Sequence, residues 1–369
     1  MRSRQLLALG AAGLLSIGVA ACGSTSKKSS TTAGGGAAKS GGTISGAGAT
    51  FPQPVYDELS TRFKDKSGTT VNYNPIGSGG GIAQFTAGTV DFGASDAFMK
   101  PDEIATAKKK GDPVHVPTVF GAITVAYNVQ GVDKGLKLDG KTVADLFLGK
   151  IKKWDDPAIK ALNPQMKLPS TSVTIVHRSD ESGTTKLFTS FLKDSSPEWS
   201  SKVGSDKTVK WPTGTGAAKN AGVAGAVKQT DGGVGYVEQA YALQNNFTTA
   251  DVKNKSGQFV APTLETTTAA GEGISVPADL RFSAINSPNP KAYPIASATF
   301  LLVYQDMCKA GIAQDKAQGV VNFLNYVVGE GQKVAPELQY AGLPSELDQK
   351  AKAKVDGLVC NGAPLKATG

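Results

Sequence analysis

Histidine and cysteine are scarce in this chain of 369 residues, which holds two of the first and three of the second. His115 and His177 stand apart, with no further histidine or cysteine at ligand spacing, which argues against a zinc or similar transition-metal site. The same scarcity leaves little to act as a general base. No glycine-rich turn carries Gly-Lys-Ser/Thr at P-loop spacing, so nucleotide hydrolysis has no support. Gly46-Ala47-Gly48-Ala49-Thr50-Phe51 begins as a dinucleotide fingerprint does, but Phe51 occupies the place of the third small residue that close helix–strand packing needs. Around Ser182 the order is Asp180-Glu181-Ser182-Gly183 instead of Gly-x-Ser-x-Gly, so no nucleophile elbow is present. The basic runs Lys108-Lys109-Lys110 and Lys150-Ile151-Lys152-Lys153 lack interleaved aromatics and read as solvated surface, not as nucleic-acid contacts.

No apolar run is long enough for a permanent membrane span, which takes about twenty residues. The longest, Leu6 to Ala21, has sixteen and follows a positive start at Arg2 and Arg4, as in a secretory signal. Small residues Val19-Ala20-Ala21 directly precede Cys22, which resembles the lipobox of bacterial lipoproteins. The expectation is a signal peptide over residues 1–21, cleavage before Cys22, and acylation of that cysteine. Two or more acyl chains on one residue give stable anchoring. An ordinary cleavage site with an incidental cysteine is the bland alternative. Residues 22–42 hold almost only Gly, Ser, Thr, Ala and Lys after the cysteine, a flexible tether whose reach is on the order of 25 Å. The folded part is expected from Thr43, outside the cytoplasm.

What remains is long enough for two lobes of ordinary size. The formal charge of +8 falls to about +6 once the arginines of the signal are removed. Such a balance favours anionic ligands at long range without defining a site. Cys308 and Cys360 form an even pair in an oxidising context and are expected to be joined, with two separate buried thiols as the alternative.

The informative pattern is an apolar strand, a turn of small residues and an amphipathic helix, repeated in a way that argues for βαβ units. It occurs at Thr43 to Phe63, with a turn at Gly46-Ala47-Gly48-Ala49, Thr50 as a potential cap, and Val55, Leu59 and Phe63 at helical spacing. It recurs at Val71 to Phe85, through Gly77-Ser78-Gly79-Gly80-Gly81 into Ile82 and Phe85. The third case runs from Val173-Thr174-Ile175-Val176 through His177 to Thr185 into Leu187, Phe188, Phe191 and Leu192. The first turn of a helix leaves N–H groups unpaired, and with the helix dipole they make a site for a small anion. Each turn alone could be merely a well-capped connection; three in one chain favour the anion reading. Val90 to Asp96 ends a further strand with a carboxylate at the same kind of edge, and in open α/β sheets ligands bind outside the carboxyl ends of strands.

Together, Gly46 to Pro52, Gly77 to Gly81, Asp91 to Asp96 and Arg178 to Thr184 resemble the phosphate-binding proteins of the bacterial phosphate-specific ABC importer. Leu148 to Asp156, Val209 to Pro212 and Gly235-Tyr236-Val237-Glu238 extend the resemblance over nearly the whole mature chain. It implies a two-lobed α/β periplasmic-binding-protein fold of type II, each lobe a mostly parallel sheet flanked by helices. The chain would cross twice between lobes, near Phe120-Gly121 and near Pro294-Ile295. Lobe I would then comprise residues 43–120 and 295–369, and lobe II residues 121–294. Carried over by motif, the ligand contacts fall on Thr50, the Phe51 backbone, Ser78, Asp96, Arg178, Asp180, Ser182, Gly183 and Thr184. Glu181 departs from the small residue of the pattern, and its charge must turn to solvent or to a basic partner.

Charge counting gives the expected mechanism. Arg178 is opposed by Asp96 and Asp180, so attraction must come from oriented N–H groups and hydroxyls. Asp96, which when ionised only accepts hydrogen bonds, would take the proton that phosphate keeps near neutral pH and sulfate lacks. The expected function is a lipid-anchored binding protein that delivers phosphate to the importer's permease subunits, acting as a monomer with no cofactor, metal, catalytic residue or nucleic-acid partner. A phosphate-binding sensor or adhesin and a phosphatase-like enzyme are the alternative classes.

Overall fold

The computed structural model describes residues 41–368. The expected signal, Cys22 and all of the tether except Gly41 and Gly42 lie outside the described residues. The described chain enters its first strand at Thr43.

Nine strands form one hydrogen-bonded sheet. They are β1 (Thr43–Gly48), β2 (Thr70–Pro75), β3 (Phe92–Ser95), β4 (Pro113–Asn128), β5 (Thr174–Arg178), β6 (Thr215–Ala217), β7 (Gly233–Glu238), β8 (Thr248–Thr249) and β9 (Ala296–Tyr304). The spatial order is β2-β1-β3-β9-β4-β7-β5-β6, with β8 paired to β4. Strands β2, β1 and β3 are parallel to one another, as are β7, β5 and β6. Between these two parallel sets run β9 and β4, antiparallel to their neighbours. This is the two-lobed α/β fold that the motif order implied.

Strand β4 belongs to both halves. From Pro113 to Ala122 it pairs with β9, and from Ile123 to Asn128 with β7. At the change of partner the Ile123 N–H donates to the Ile295 carbonyl at 2.7 Å, so the chain just before β9 lies beside β4 at that point.

Four helices matter for the site: α1 (Gln53–Ser67), α2 (Ser78–Ala87), α3 (Gly183–Ser195) and α4 (Lys219–Lys228). Val55, Leu59 and Phe63 of α1, Ile82 and Phe85 of α2, and Phe188, Phe191 and Leu192 of α3 are buried, as their spacing required. Each such side chain contributes roughly 1.5–3 kcal/mol relative to exposure.

Two expectations about the first unit need correction. Gly46 to Gly48 are strand, not turn, because they pair in register with Tyr73 to Pro75 on one side and Phe92 to Ala94 on the other. The glycine at position 46 serves packing: a Cβ there would lie 2.1 Å from the Phe92 ring. Thr50 does not cap α1, whose N-cap position is Pro52 with no side-chain bond. The Thr50 hydroxyl is engaged elsewhere.

Cys308 and Cys360 are joined, with their Cα atoms 4.7 Å apart and a sequence separation of 52. Closing a loop of that size stabilises by about 4 kcal/mol in the chain-entropy model. Replacing both cysteines by serine is expected to lower unfolding free energy by about 2–4 kcal/mol, read as a fall in the denaturant midpoint.

Candidate functional site

The carboxyl ends of β1, β2, β3 and β5 each deliver a short turn to one place, where α1, α2 and α3 begin. From the turn after β1 comes Thr50, 1 % exposed. From the start of α2 comes Ser78, buried, whose hydroxyl accepts from the Asp96 N–H at 3.3 Å and lies 3.5 Å from Asp96 Oδ2. Asp96 follows β3 and is 2 % exposed. Its Oδ1 accepts from the Thr299 hydroxyl of β9 at 2.8 Å. Burial raises the Asp96 carboxyl to about 7, against the pull of Thr299, Arg178, Ser78 and Thr184, all of which favour the ionised form.

Arg178 ends β5 and is buried. Its Nε and Nη2 donate to the two Asp180 oxygens at 2.7 and 2.5 Å, and Nη1 reaches the Thr184 hydroxyl at 3.4 Å. The Nε–Nη2 edge is therefore occupied, and the Nη1 side is the one directed to the site. Asp180 feels burial first, which raises its carboxyl, but the Arg178 bonds and charge and the Lys219 N–H outweigh it and hold the group below its ordinary value. With Oδ1 also accepting from the Lys219 N–H at 2.9 Å, Asp180 fixes the arginine. Ser182 is the N-cap of α3, accepting from the Thr185 N–H at 3.1 Å, which leaves its hydroxyl proton free to donate.

The two halves meet across this place. Asn220, the second residue of α4, donates from Nδ2 to the Thr50 hydroxyl at 2.9 Å and to the Thr184 hydroxyl at 3.3 Å. The Tyr241 hydroxyl donates to the Thr50 carbonyl at 2.7 Å, and the Gly79 N–H to the Glu181 carbonyl at 3.0 Å. Gly183 shows how close the approach is, since a Cβ on it would lie 2.5 Å from Ser78 Oγ and 2.7 Å from Asp96. Sequence motifs far apart in the chain thus surround one small polar space rich in donors.

Comparison with known proteins fits this geometry. A family model described as the PBP superfamily domain matches residues 32–330. A phosphate-binding protein PstS of Pasteurella multocida (strain Pm70) is 41 % identical over 315 residues, covering 85 % of this chain and 89 % of that protein. The chain belongs to the PstS family of phosphate-binding proteins. A further PstS relative, from Methanocaldococcus jannaschii, is 38 % identical over 326 residues, covering 82 % of this chain and 83 % of its own. Among solved structures, the phosphate-binding protein from Stenotrophomonas maltophilia superposes with a TM-score of 0.63 at 20 % identity, covering 84 % of this chain and 93 % of that one, which shows the shared fold.

Within this PstS-family chain the structure brings together all nine positions named from the motifs. Phe51 joins through its backbone alone, because its side chain is wholly buried in the core. Asn220 and Thr299 were not foreseen. The run Gly214-Thr215-Gly216-Ala217-Ala218 before α4 repeats the small-residue turn of the other three units. Its middle three residues, Thr215–Ala217, are the strand β6 itself, with no apolar alternation, so the signal is weak. Lys219, at the start of α4, has a φ of 64°, a left-handed conformation that places its N–H on Asp180. Thr299 lies within an unbroken buried run of β9 and carries no local mark.

Glu181 finds the basic partner its charge required. Lys207, 1 % exposed at its side chain, lies 3.3 Å from Glu181 and also pairs with Glu103 from the other half. Lys100 and Asp206 make a second ion pair across the halves at 2.7 Å. In this family member the extra acid next to the site is thus drawn away from it, into a bridge between the halves.

Gly183→Ala tests the closeness of the halves. The added methyl must push Ser78 and Asp96 away from α3, so the affinity of the site for its anion is expected to fall by about tenfold or more. A titration on a variant whose melting temperature is near wild type would check it.

Proposed function

We propose that this protein captures inorganic phosphate between its two lobes, outside the cytoplasm, and passes it to an ABC importer. The observation that carries the reading is the meeting, in one buried space, of donor-rich helix starts from both halves with a single arginine and with Asp96. Arg178 against Asp96 and Asp180 leaves no surplus of positive side-chain charge. Attraction then falls to N–H groups at the starts of α1, α2 and α3 and to the hydroxyls of Thr50, Ser78, Ser182 and Thr184. Thr50, the Phe51 backbone, Ser78, Asp96, Arg178, Ser182, Gly183 and Thr184 would touch the ligand, while Asp180 would hold Arg178 in place. The lobes in this reading are residues 43–120 with 295–369, and residues 121–294, hinged where β4 changes partner. The role is one of binding, with no chemical step, and a monomer suffices for it. Anchoring would come from acylated Cys22 after removal of residues 1–21, with 22–42 as the tether; among the described residues no helix is long and apolar enough to cross a membrane.

Asp96 refines the expected selectivity. With its carboxyl near 7, the site and a phosphate ion share one proton whether it starts on the ligand or on the aspartate. Sulfate brings none, so it can bind well only when Asp96 supplies the proton. Above about pH 7 the protonated fraction of Asp96 falls tenfold per unit, and apparent sulfate affinity is expected to fall with it, while phosphate retains its proton for the shared bond over a wider range. Competition titrations from pH 6 to 9 would check the slope. The function itself is tested by equilibrium dialysis of phosphate-stripped protein against labelled phosphate: saturable uptake of one ion per chain is expected, and no uptake would overturn the reading.

A further inference from the structure

Glu238 closes the Gly235-Tyr236-Val237-Glu238 segment that the sequence singled out, and the ligand site does not use its side chain. It is the last residue of β7 and fully buried. Its N–H donates to Asn220 Oδ1 at 3.1 Å, so the amide that holds Thr50 and Thr184 is also pinned to β7. Its Oε2 lies 2.7 Å from the Tyr340 hydroxyl and accepts from the Ala240 N–H at 2.8 Å, while Oε1 is buried with no partner. The crossing strand passes beside it, since a Cβ on Gly121 would sit 3.2 Å from Oε1.

The proton count around Tyr340 is decisive. Its hydroxyl lies 2.7 Å from Glu238 Oε2 and 2.7 Å from the Phe51 carbonyl oxygen. A phenol has one proton, and a carbonyl oxygen can only accept. Two oxygens at 2.7 Å need a hydrogen between them. Both contacts are hydrogen bonds at once only if Tyr340 donates to Phe51 and receives from a protonated Glu238. The surroundings agree. Asp96 faces Glu238 as a like charge, and Tyr340 and Tyr241, pushed up by burial and by Glu238 itself, offer no compensating cation. Arg178 acts on Tyr241 from β5, a step further away. Burial first, then Asp96, keep the Glu238 carboxyl well above its ordinary value, against the bonds from Tyr340 and from the Ala240 and Gln239 backbone.

We propose that Glu238 is a neutral carboxylic acid that positions the Phe51 peptide of the phosphate site through Tyr340. The Thr50–Phe51 turn is then clamped by two tyrosines, Tyr241 on the Thr50 carbonyl and Tyr340 on the Phe51 carbonyl. The first polarises the peptide whose N–H is offered to the ligand. A carboxylic acid suits the place because a single oxygen donates to Tyr340 and accepts from Ala240. An amide nitrogen can do only the first, and an amide oxygen only the second.

The positioning role rests on the phosphate-binding reading, whereas the protonation does not, and the test separates them. Infrared spectra of ligand-free protein carrying 13C-labelled glutamate, taken at pH 8, are expected to show an isotope-shifted carboxylic-acid carbonyl band that is lost on unfolding and absent from Glu238→Gln. Asp96 is unlabelled and largely ionised at that pH. No such band in wild type, or a band that survives in the variant, overturns the proposal. For positioning, Glu238→Ala and Tyr340→Phe are each expected to weaken phosphate binding by roughly tenfold, with the double variant little worse than either because both act through one contact. Glu238→Gln should fall between wild type and Glu238→Ala. Effects that simply multiply would refute positioning through Tyr340. A band present in a protein that takes up no phosphate would strike the phosphate reading and leave the protonated glutamate standing.

Discussion

At pH 9, two units above the Asp96 carboxyl, Asp96→Asn is expected to lower the preference for phosphate over sulfate by roughly a hundredfold or more. In the native site a sulfate ion faces a carboxylate that offers no hydrogen and carries a like charge, or else must wait for Asp96 to be protonated. Leaving the carboxylate ionised costs on the order of 2–5 kcal/mol in a dry site, and protonating it at pH 9, two units above its value of about 7, costs about 2.7 kcal/mol. Asparagine removes the charge and can donate from its amide, so sulfate gains most of what it lacked. Phosphate exchanges a charge-assisted bond for a neutral one and should lose only about tenfold. The Thr299 hydroxyl, which donates to Asp96 Oδ1 at 2.8 Å, holds an asparagine oxygen equally well, so the side chain should keep its orientation. Calorimetry with both ions on the same preparation checks the ratio. An unchanged ratio would remove Asp96 from the selectivity.

Arg178→Met is expected to weaken phosphate binding by about a thousandfold while leaving the fold intact. Removing one partner from a buried, hydrogen-bonded charge pair typically costs 2–5 kcal/mol, much of it from the charge left behind. Here that charge is Asp180, which would lose both guanidinium bonds and stand, with Asp96, against an incoming anion. Methionine keeps much of the side-chain volume beside Thr184. Asp180→Asn should be milder, because the arginine charge stays while its orientation loosens. A melting temperature near wild type in Arg178→Met, together with lost binding, would separate the site from the scaffold; full affinity would contradict the charge count.

How much of this could be read from the chain follows from where each contact originates. Ser78, Asp96, Arg178 and the Ser182-Gly183-Thr184 turn each sit where a strand gives way to small residues, so local chemistry marks them. Gly46 misleads because glycine marks a turn in one context and a close strand–ring contact in another. Which one applies depends on Phe92, some 46 residues away from Gly46. Thr50 read as a cap from its neighbours, yet its hydroxyl is taken by Asn220 from the other half. Asn220, Thr299, Tyr340 and Glu238 could not be weighted in advance. Each gains its role only when a distant segment supplies the partner, and a buried threonine or glutamate at the end of a strand looks the same with or without one. Glu181 lies between these cases: its charge demanded a partner, and only the fold identified Lys207.

The central claim is that a donor-lined pocket with one acidic side chain selects a tetrahedral ion by the proton it carries. The most direct measurement is calorimetric titration of the ligand-free protein with phosphate, arsenate and sulfate at pH 9, two units above the Asp96 carboxyl. Phosphate and arsenate, both protonated, should bind at one site per chain, and sulfate should give no saturable heat at concentrations about a hundred times higher. Sulfate binding with an affinity close to that of phosphate would contradict the account.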